Sequence, residues 1–459
     1  MSPSFSAWLA RWRGHLRPAA VATRFRHALG AGERGAEKAI RAVGRWRHRR
    51  CPTPRLLELT RPPGCSIGPP ALRVVLDPRD MLGVAAVQRA LAADWPPESA
   101  TVVVLVRYRR PPVLAGRVDA PVHSWAAPPE LLPCLPGPAA PLLARLDAAL
   151  RLPDVGIRVV QVRRRGARAT AVGTPATAAL ALTWVVPHRG GARWLAECLA
   201  RLAPQLRPAA PAGGSATGSL PAPAPDAAFV VLDEPVSAPM QAVRAAFPAI
   251  WFGALRRPGV GPYVARQRAL ERATTELLLF QDSDDAPTPD RAARLTAALA
   301  AGGLDAVGSH ELRLDYLAGA VVARRFPLDA SAALRATMGH PVLFPTLLVR
   351  RASLLAVGGF STYLRFGLDT QLLLRAAPTW RIGNVDAFLY LRRRRPGSLT
   401  TDPATGIGSA ARQHHHTAWL TNYRTVLATG RLAPDSGLST QRAAEYDGNE
   451  LEESPDTPL

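Results

Sequence analysis

Between residues 180 and 285 three short apolar runs each stop abruptly at polar side chains. Leu182 to Val186 ends in Pro187-His188-Arg189, and Ala228 to Leu232 ends in Asp233-Glu234. Leu277 to Phe280 ends in Gln281-Asp282-Ser283-Asp284-Asp285. Helical stretches separate them, Trp194 to Leu202 after the first run and Tyr263 to Thr274 before the third. Strand alternating with helix predicts an α/β fold with a parallel sheet and right-handed crossovers. Ligands of such sheets bind beyond the carboxyl ends of the strands, so all three polar endings are expected to line one crevice.

Asp282, Asp284 and Asp285 place three carboxylates within four residues. Crowded like charges call for a cation or several donors. Carboxylate oxygens suit hard divalent ions such as Mg2+ or Mn2+, completed by the phosphate oxygens of a bound nucleotide. Asp-x-Asp alone is a common solvated turn; its position directly after an apolar strand and before Pro287 distinguishes this one.

The set of motifs resembles the family 2 glycosyltransferases with the GT-A fold. Leu182-Thr-Trp-Val-Val-Pro with Trp194-Leu-Ala-Glu-Cys-Leu is similar to their first strand and helix. Phe229-Val-Val-Leu-Asp233 resembles the second strand, and Val264-Ala-Arg-Gln-Arg-Ala-Leu with Phe280-Gln-Asp-Ser-Asp-Asp resembles the Arg-containing helix and metal-binding motif. Leu347-Leu-Val-Arg-Arg, Gly358-Gly-Phe, Phe366-Gly-Leu-Asp369 and Tyr390 to Thr400 resemble the acceptor half and closing motif. The resemblance implies a Rossmann-like mixed sheet with a parallel nucleotide-binding half. It implies a nucleotide-sugar site formed by Pro187, His188, Asp233, Arg266, Asp282, Arg392 and Arg394, with Asp233 on the nucleoside. It further implies Asp284, with Asp282, as ligand of a divalent metal, and Asp369 as the general base of an inverting transfer.

Several positions depart from the family pattern. Leu368 stands where a Glu usually precedes the catalytic Asp, Gln267 where Asn is common, and Glu234-Pro235 follows Asp233. Three consecutive histidines, His414 to His416, cannot all face one ion from a helix. His414 could complete a metal shell by analogy with related enzymes, but an exposed helix start is the favoured reading. A Pro/Ala/Gly/Ser-rich insertion at about 204–226 reads as a surface loop.

The rest of the chain divides by composition. Residues 1–68 form a basic, amphipathic helical region: the first fifty residues hold eleven Arg and Lys38 against Glu33 and Glu37. Phe5, Trp8, Leu9, Trp12 and Leu16 recur at helical spacing, as on a helix lying on an anionic membrane surface. A hairpin packing on the protein's own body and a cleaved targeting segment are the other readings. Residues 69–175 suggest a small α/β accessory domain, 180–428 the GT-A domain, and 429–459 an acidic, disordered tail. The formal charge of +22 favours an anionic partner, though Arg replaces Lys almost everywhere and no nucleic-acid readout motif stands out. Four scattered cysteines and the lack of a long apolar run favour a cytoplasmic protein, peripheral to the inner face of a membrane.

The expected activity is metal-dependent sugar transfer from a nucleotide diphosphate to a glycan, lipid-linked or other hydroxyl acceptor. A non-catalytic scaffold that keeps the fold is the alternative.

Overall fold

The computed structural model describes residues 54–453 apart from 63–64, 66, 99, 114–116, 138–139, 164–179, 209–225 and 337–339. The amphipathic stretches of residues 1–50 and most of the Pro-rich insertion lie outside the described residues.

The N-terminal part comprises β1 (Arg55–Thr60), β2 (Ala71–Leu76), α1 (Val84–Ala93), β3 (Thr101–Arg107), β4 (Val118–Val122), β5 (Trp125–Ala127), α2 (Leu142–Arg151) and β6 (Gly156–Val162). Five of the strands form a sheet in the order β1-β2-β5-β3-β6, with β3 and β6 parallel. Strand β3 reads Thr-Val-Val-Val-Leu-Val-Arg because it is covered on both faces. Val102, Val104 and Val106 join the cluster around Leu146 and Ala149 of α2, while Val103 and Leu105 join the cluster around Val87 and Leu91 of α1. That split follows from the two-residue period of an extended chain. The expected helical character of residues 1–68 gives way to strand at Arg55–Thr60.

The second sheet is built from β7 (Leu182–His188), α3 (Ala192–Leu202), β8 (Ala227–Leu232), α4 (Ala238–Ala246), β9 (Trp251–Leu255), α5 (Pro262–Arg272) and β10 (Leu277–Phe280). Its strands run parallel in the order β10-β7-β8-β9. The three strands expected from sequence are present. A fourth, β9, was not anticipated, although Trp251-Phe-Gly-Ala-Leu is itself a short apolar run. Chain order reverses about β7, which has β8 on one side and β10 on the other, so the crevice opens at that switch point.

The remainder comprises β11 (Ala286–Pro287), α6 (Arg291–Gly302), β12 (Ala306–Asp315), β13 (Ala320–Arg325), α7 (Ala330–Ala336), β14 (Leu348–Arg350), α8 (Arg351–Ala356), α9 (Leu368–Ala376), β15 (Ile382–Arg394), α10 (Ala410–Thr429) and β16 (Leu451–Glu453). β14 pairs antiparallel with β10 and with β12, and β12 pairs parallel with β15. The result is the mixed sheet with a parallel nucleotide-binding half that the GT-A fold implies.

The described residues from Leu56 onward form one compact unit. β4 pairs antiparallel with β13, carrying the larger sheet into the N-terminal part. Val102, Val122 and Leu146 share a hydrophobic cluster with Leu312, Val321, Phe388 and Leu391. The expected division near residue 175 falls in 164–179, outside the described residues.

The tail differs from expectation. Leu438 and Asn449 are fully buried, Tyr446 is nearly so, and β16 adds antiparallel to the exposed edge of β9. Asn449 accepts from the Arg257 backbone at 2.8 Å and donates to its carbonyl at 2.8 Å. Acidic composition suggested a solvated segment, but a few well-placed apolar side chains and a free sheet edge suffice to anchor it through residue 453.

Candidate active site

The crevice is assembled from the ends of β7, β8 and β10. His188, the last residue of β7, is buried, and burial lowers its pKa despite the nearby Glu234 carboxylate. Its Nε2 lies 3.1 Å from the Gly190 carbonyl, which can only accept. Nε2 therefore carries the proton, and Nδ1 accepts from the Ser283 hydroxyl at 2.8 Å. This bond ties the end of β7 to the Asp282-Ser283-Asp284 turn. Glu234 Oε2 completes the corner by accepting from Gly190 N at 2.9 Å. Pro187 lies buried within β7, opposite Val231 of β8.

Asp233 receives three backbone N–H groups: Gly259 at 2.6 Å, Val260 at 2.9 Å and Gly261 at 2.8 Å. The turn between β9 and α5 is thus wrapped around one carboxylate. Gly261 has φ +103°, and a Cβ there would meet the Arg365 backbone at 3.0 Å, so the close approach requires glycine. The expected nucleoside-contacting residue is at the crevice, and its carboxylate also shapes this loop.

Asp282 and Asp284 are each engaged by an arginine. Arg266 on α5 donates to Asp282 Oδ1 at 2.6 Å. The Arg266 guanidinium lies 5.3 Å from the Tyr263 ring centre and 5.2 Å from that of Phe344. Burial opposes its charge, but Asp282, Tyr263, Asp369 and Tyr390 together outweigh that effect and raise the pKa. Asp282 keeps about a third of its side chain exposed (33%) while sitting on the floor of the crevice. Burial and the neighbouring Asp284 raise its pKa, against the pull of Arg266. Asp284 Oδ2 accepts from Arg395 at 2.8 Å and 3.1 Å. Asp285 points inward: it accepts from Arg393 N at 2.6 Å, and burial with two flanking carboxylates pushes its pKa well up.

The run Arg392 to Arg395 splits by alternation along β15 and just beyond it. Arg393 and Arg395 turn toward Asp284, Arg393 donating to its carbonyl at 2.8 Å and also reaching Glu197. Arg392 turns to Glu311, 3.5 Å away, and its charge is felt at Asp282 and Asp285. Arg394 pairs with Asp315 at 3.0 Å. Sequence reasoning assigned Arg392 and Arg394 to the nucleotide sugar. The structure directs Arg394 to Asp315 and brings Arg395, which that reasoning weighed only as part of the Arg392 to Arg395 cluster, onto the Asp-x-Asp motif.

Asp369 occupies the first turn of α9, and its Oδ1 accepts from the Tyr263 hydroxyl at 2.9 Å. Its charge is felt at both Arg266 and Asp282. Its other oxygen takes no hydrogen bond from a described residue. The preceding Leu368 is fully buried in the main core, with Leu372 and Trp419. The position usually filled by Glu therefore faces the core here.

The three histidines of α10 diverge as the helical turn requires. His414 is exposed, His415 stacks on Trp419 with ring centres 5.8 Å apart, and His416 stacks on His340 at 5.9 Å. Among the described residues no three His, Cys, Asp or Glu side chains converge as a metal cage. The chemistry of the motif still fits a divalent ion that arrives with a diphosphate, because Asp284 Oδ1 bonds to no described residue and Mg2+ commonly keeps only one or two protein carboxylates.

The fold and the crevice define a mixed α/β protein with acids and arginines at the carboxyl ends of its parallel strands. Residues 252–313 match the family model described as glycosyl transferase family 2. The matched stretch runs from β9 to β12 and includes Arg266, Asp282 and Asp284, supporting the resemblance read from the sequence. No curated protein sequence matches the chain. The chain is similar in structure to S. aureus TarS 1-349 in complex with UDP-GlcNAc, at TM-score 0.38 and 18% identity, over 58% of this chain and 78% of that one. It is also similar to the mannosyltransferase PcManGT from Pyrobaculum calidifontis in complex with GDP-Man and Mn2+, at TM-score 0.38 and 17% identity, over 56% and 67% of the two chains. Among the described residues no helix is long and apolar enough to cross a membrane.

Proposed function

We propose that the chain is an inverting glycosyltransferase that moves a sugar from a nucleoside-diphosphate donor to an acceptor hydroxyl. The observation that carries this reading is the placement of Asp369. It is a partly buried carboxylate oriented by Tyr263, with one oxygen unengaged by any described residue, and close enough to the Asp282–Arg266 pair for their charges to interact. A base so placed can take the proton of a hydroxyl attacking the anomeric carbon from the face opposite the leaving group.

Arg266, Arg392, Arg393 and Arg395 surround the Asp282–Asp284 turn with fixed positive charge. Preorganised cations of this kind stabilise the charge that develops on a departing diphosphate more than they stabilise the ground state. Asp284 would hold a Mg2+ or Mn2+ ion that neutralises the same diphosphate. His188 and Ser283 keep the turn in place, and the loop of residues 259–261 around Asp233 forms the nucleoside side of the crevice. A glycan or lipid-linked acceptor and a site of action at the cytoplasmic membrane face complete the proposal, with the basic residues 1–50 as the membrane-facing element.

Asp369→Asn tests the assignment. It should keep nucleotide binding, measured by calorimetry, while transfer to any competent acceptor falls by at least about a hundredfold, the usual scale of general-base catalysis. Transfer at the wild-type rate would remove Asp369 from the mechanism. Absence of nucleotide binding by the wild-type chain would favour the non-catalytic scaffold.

A further inference from the structure

The loop of residues 256–261, which leads from the carboxyl end of β9 into α5, is gripped from two sides. On the crevice side the Asp233 carboxylate receives the backbone N–H groups of Gly259, Val260 and Gly261. On the other side stands the end of the chain. The β9–β16 ladder pairs Leu255 with Leu451 and continues past β9, where Arg256 N donates to the Glu450 carbonyl at 3.1 Å. One residue further, the buried side-chain amide of Asn449 closes on the Arg257 backbone. It accepts from the Arg257 N–H and donates to the Arg257 carbonyl, each at 2.8 Å, so it continues the ladder with its own amide group.

The same short segment holds α5. Arg268 donates through Nε to the Asn449 carbonyl at 3.0 Å and through Nη2 to the Tyr446 carbonyl at 2.8 Å. Its guanidinium lies over the Tyr446 ring, 4.1 Å from the centre, and the Tyr446 hydroxyl bonds to Glu271. α5 in turn carries Tyr263, which orients Asp369, and Arg266, which engages Asp282. Residues 446–449 therefore clasp both the crevice loop and the helix that follows it. Gly259 and Gly261 sit at φ +91° and +103°, and glycine backbone is free to leave such angles once its anchors are removed. The shape of the loop thus depends on what holds its two ends.

We infer that Asn449 is a positioning residue for the donor site: by fixing Arg257 it presets the 259–261 loop in the shape that receives the nucleoside. This rests on the proposed transferase reading, in which that loop forms the nucleoside side of the crevice. Asn449 acts through the backbone and does not touch the donor. Its loss lowers the fraction of molecules with a competent loop, which weakens apparent affinity by that fraction. A donor once bound selects the competent loop, so turnover at saturation is preserved.

The test is calorimetric titration of the full chain with UDP, GDP and dTDP in Mn2+, paired with steady-state kinetics on the matching donor sugar. Asn449→Ala should weaken the nucleotide that the wild type binds about tenfold, the scale of one net hydrogen bond, with kcat at saturating donor within about twofold. Asn449→Asp keeps the accepting oxygen and loses the donor; it should fall between, and it carries the test should the alanine variant not fold. Leu438→Ala is the control. Leu438 is fully buried in the same tail, and its carbonyl serves Arg375 at 3.1 Å, not Arg257 or Arg268. It should lower the unfolding temperature and leave nucleotide affinity unchanged.

Wild-type affinity in the Asn449 variants would overturn the inference, as would a fall in kcat with affinity unchanged. An equal loss of affinity in Leu438→Ala would also overturn it, because general destabilisation of the tail would then explain the effect. A wild-type chain that binds none of the three nucleotides would overturn the transferase reading and, with it, the role given to Asn449.

Discussion

Replacing Glu311 by Gln should destabilise the protein by about 3–5 kcal/mol at pH 7, the usual cost of removing one partner from a buried charge network. Glu311 lies on β12 and is wholly buried among three arginines: Arg313 at 2.6 Å, Arg324 at 3.5 Å and Arg392 at 3.5 Å. Burial alone would raise its pKa, but the three guanidinium groups overcome burial and bring the carboxyl down to about 2. The drop from the ordinary Glu value of 4.5 to about 2 corresponds to roughly 3 kcal/mol of linkage, at about 1.4 kcal/mol per pH unit.

The sign follows from a depressed carboxylate pKa. The contribution is complete above pH 4.5 and is lost as pH falls through about 2. Gln keeps the shape and removes the charge, leaving the arginines facing one another. Of these, Arg324 would retain Asp119 on β4 at 2.6 Å, so the damage should centre on Arg313 and Arg392. Urea unfolding at pH 7 gives the difference directly. Repeating it at intervals below pH 4.5 should show the wild-type advantage shrinking toward pH 2. A loss under about 1 kcal/mol, or an advantage independent of pH, would refute the reasoning, since either means that the carboxylate does not hold the cluster together.

Three further outcomes follow from burial. Leu368→Glu introduces the residue usual in the family but buries a carboxylate in the main core; it should cost several kcal/mol in urea unfolding and should not raise activity, and a stable, faster variant would show that position 368 can face the crevice. Truncation after Gly437 removes buried Leu438, Tyr446 and Asn449 and should lower stability by roughly 3 kcal/mol or more, whereas an unchanged melting temperature would return the tail to a solvated segment. Cys198, fully buried with its thiol pushed up to about 12 by burial, should resist a thiol reagent at pH 8 in the folded chain while exposed Cys134 reacts, as peptide mass spectrometry will show.

The nucleotide half was legible because its signals are local. A strand covered on both faces reads as an apolar run, and a polar ending marks its carboxyl end, so Leu182–His188, Ala227–Leu232 and Leu277–Phe280 could be placed without knowing their neighbours. Trp251–Leu255 carried a weaker form of the same signal and was passed over. What depended on register could not be read. Four consecutive arginines do not reveal which pair turns toward Asp284, because that parity is set by how β15 lies against β12 and β11. Glu311 gave no hint of its role, since Arg324 and Arg392 meet it only through strand pairing. The packed tail was hidden by composition: seven acids outweighed the few side chains that anchor it.

The most direct test of the central claim is release of nucleoside diphosphate from a panel of UDP-, GDP- and dTDP-sugars, with Mn2+ or Mg2+ and with EDTA, comparing the wild type with Asp284→Ala. The account predicts release from at least one donor, suppressed by EDTA and lost in the variant. Release that neither EDTA nor Asp284→Ala diminishes would contradict the role given to the Asp282–Asp284 turn, and no release together with no nucleotide binding would contradict the transferase itself.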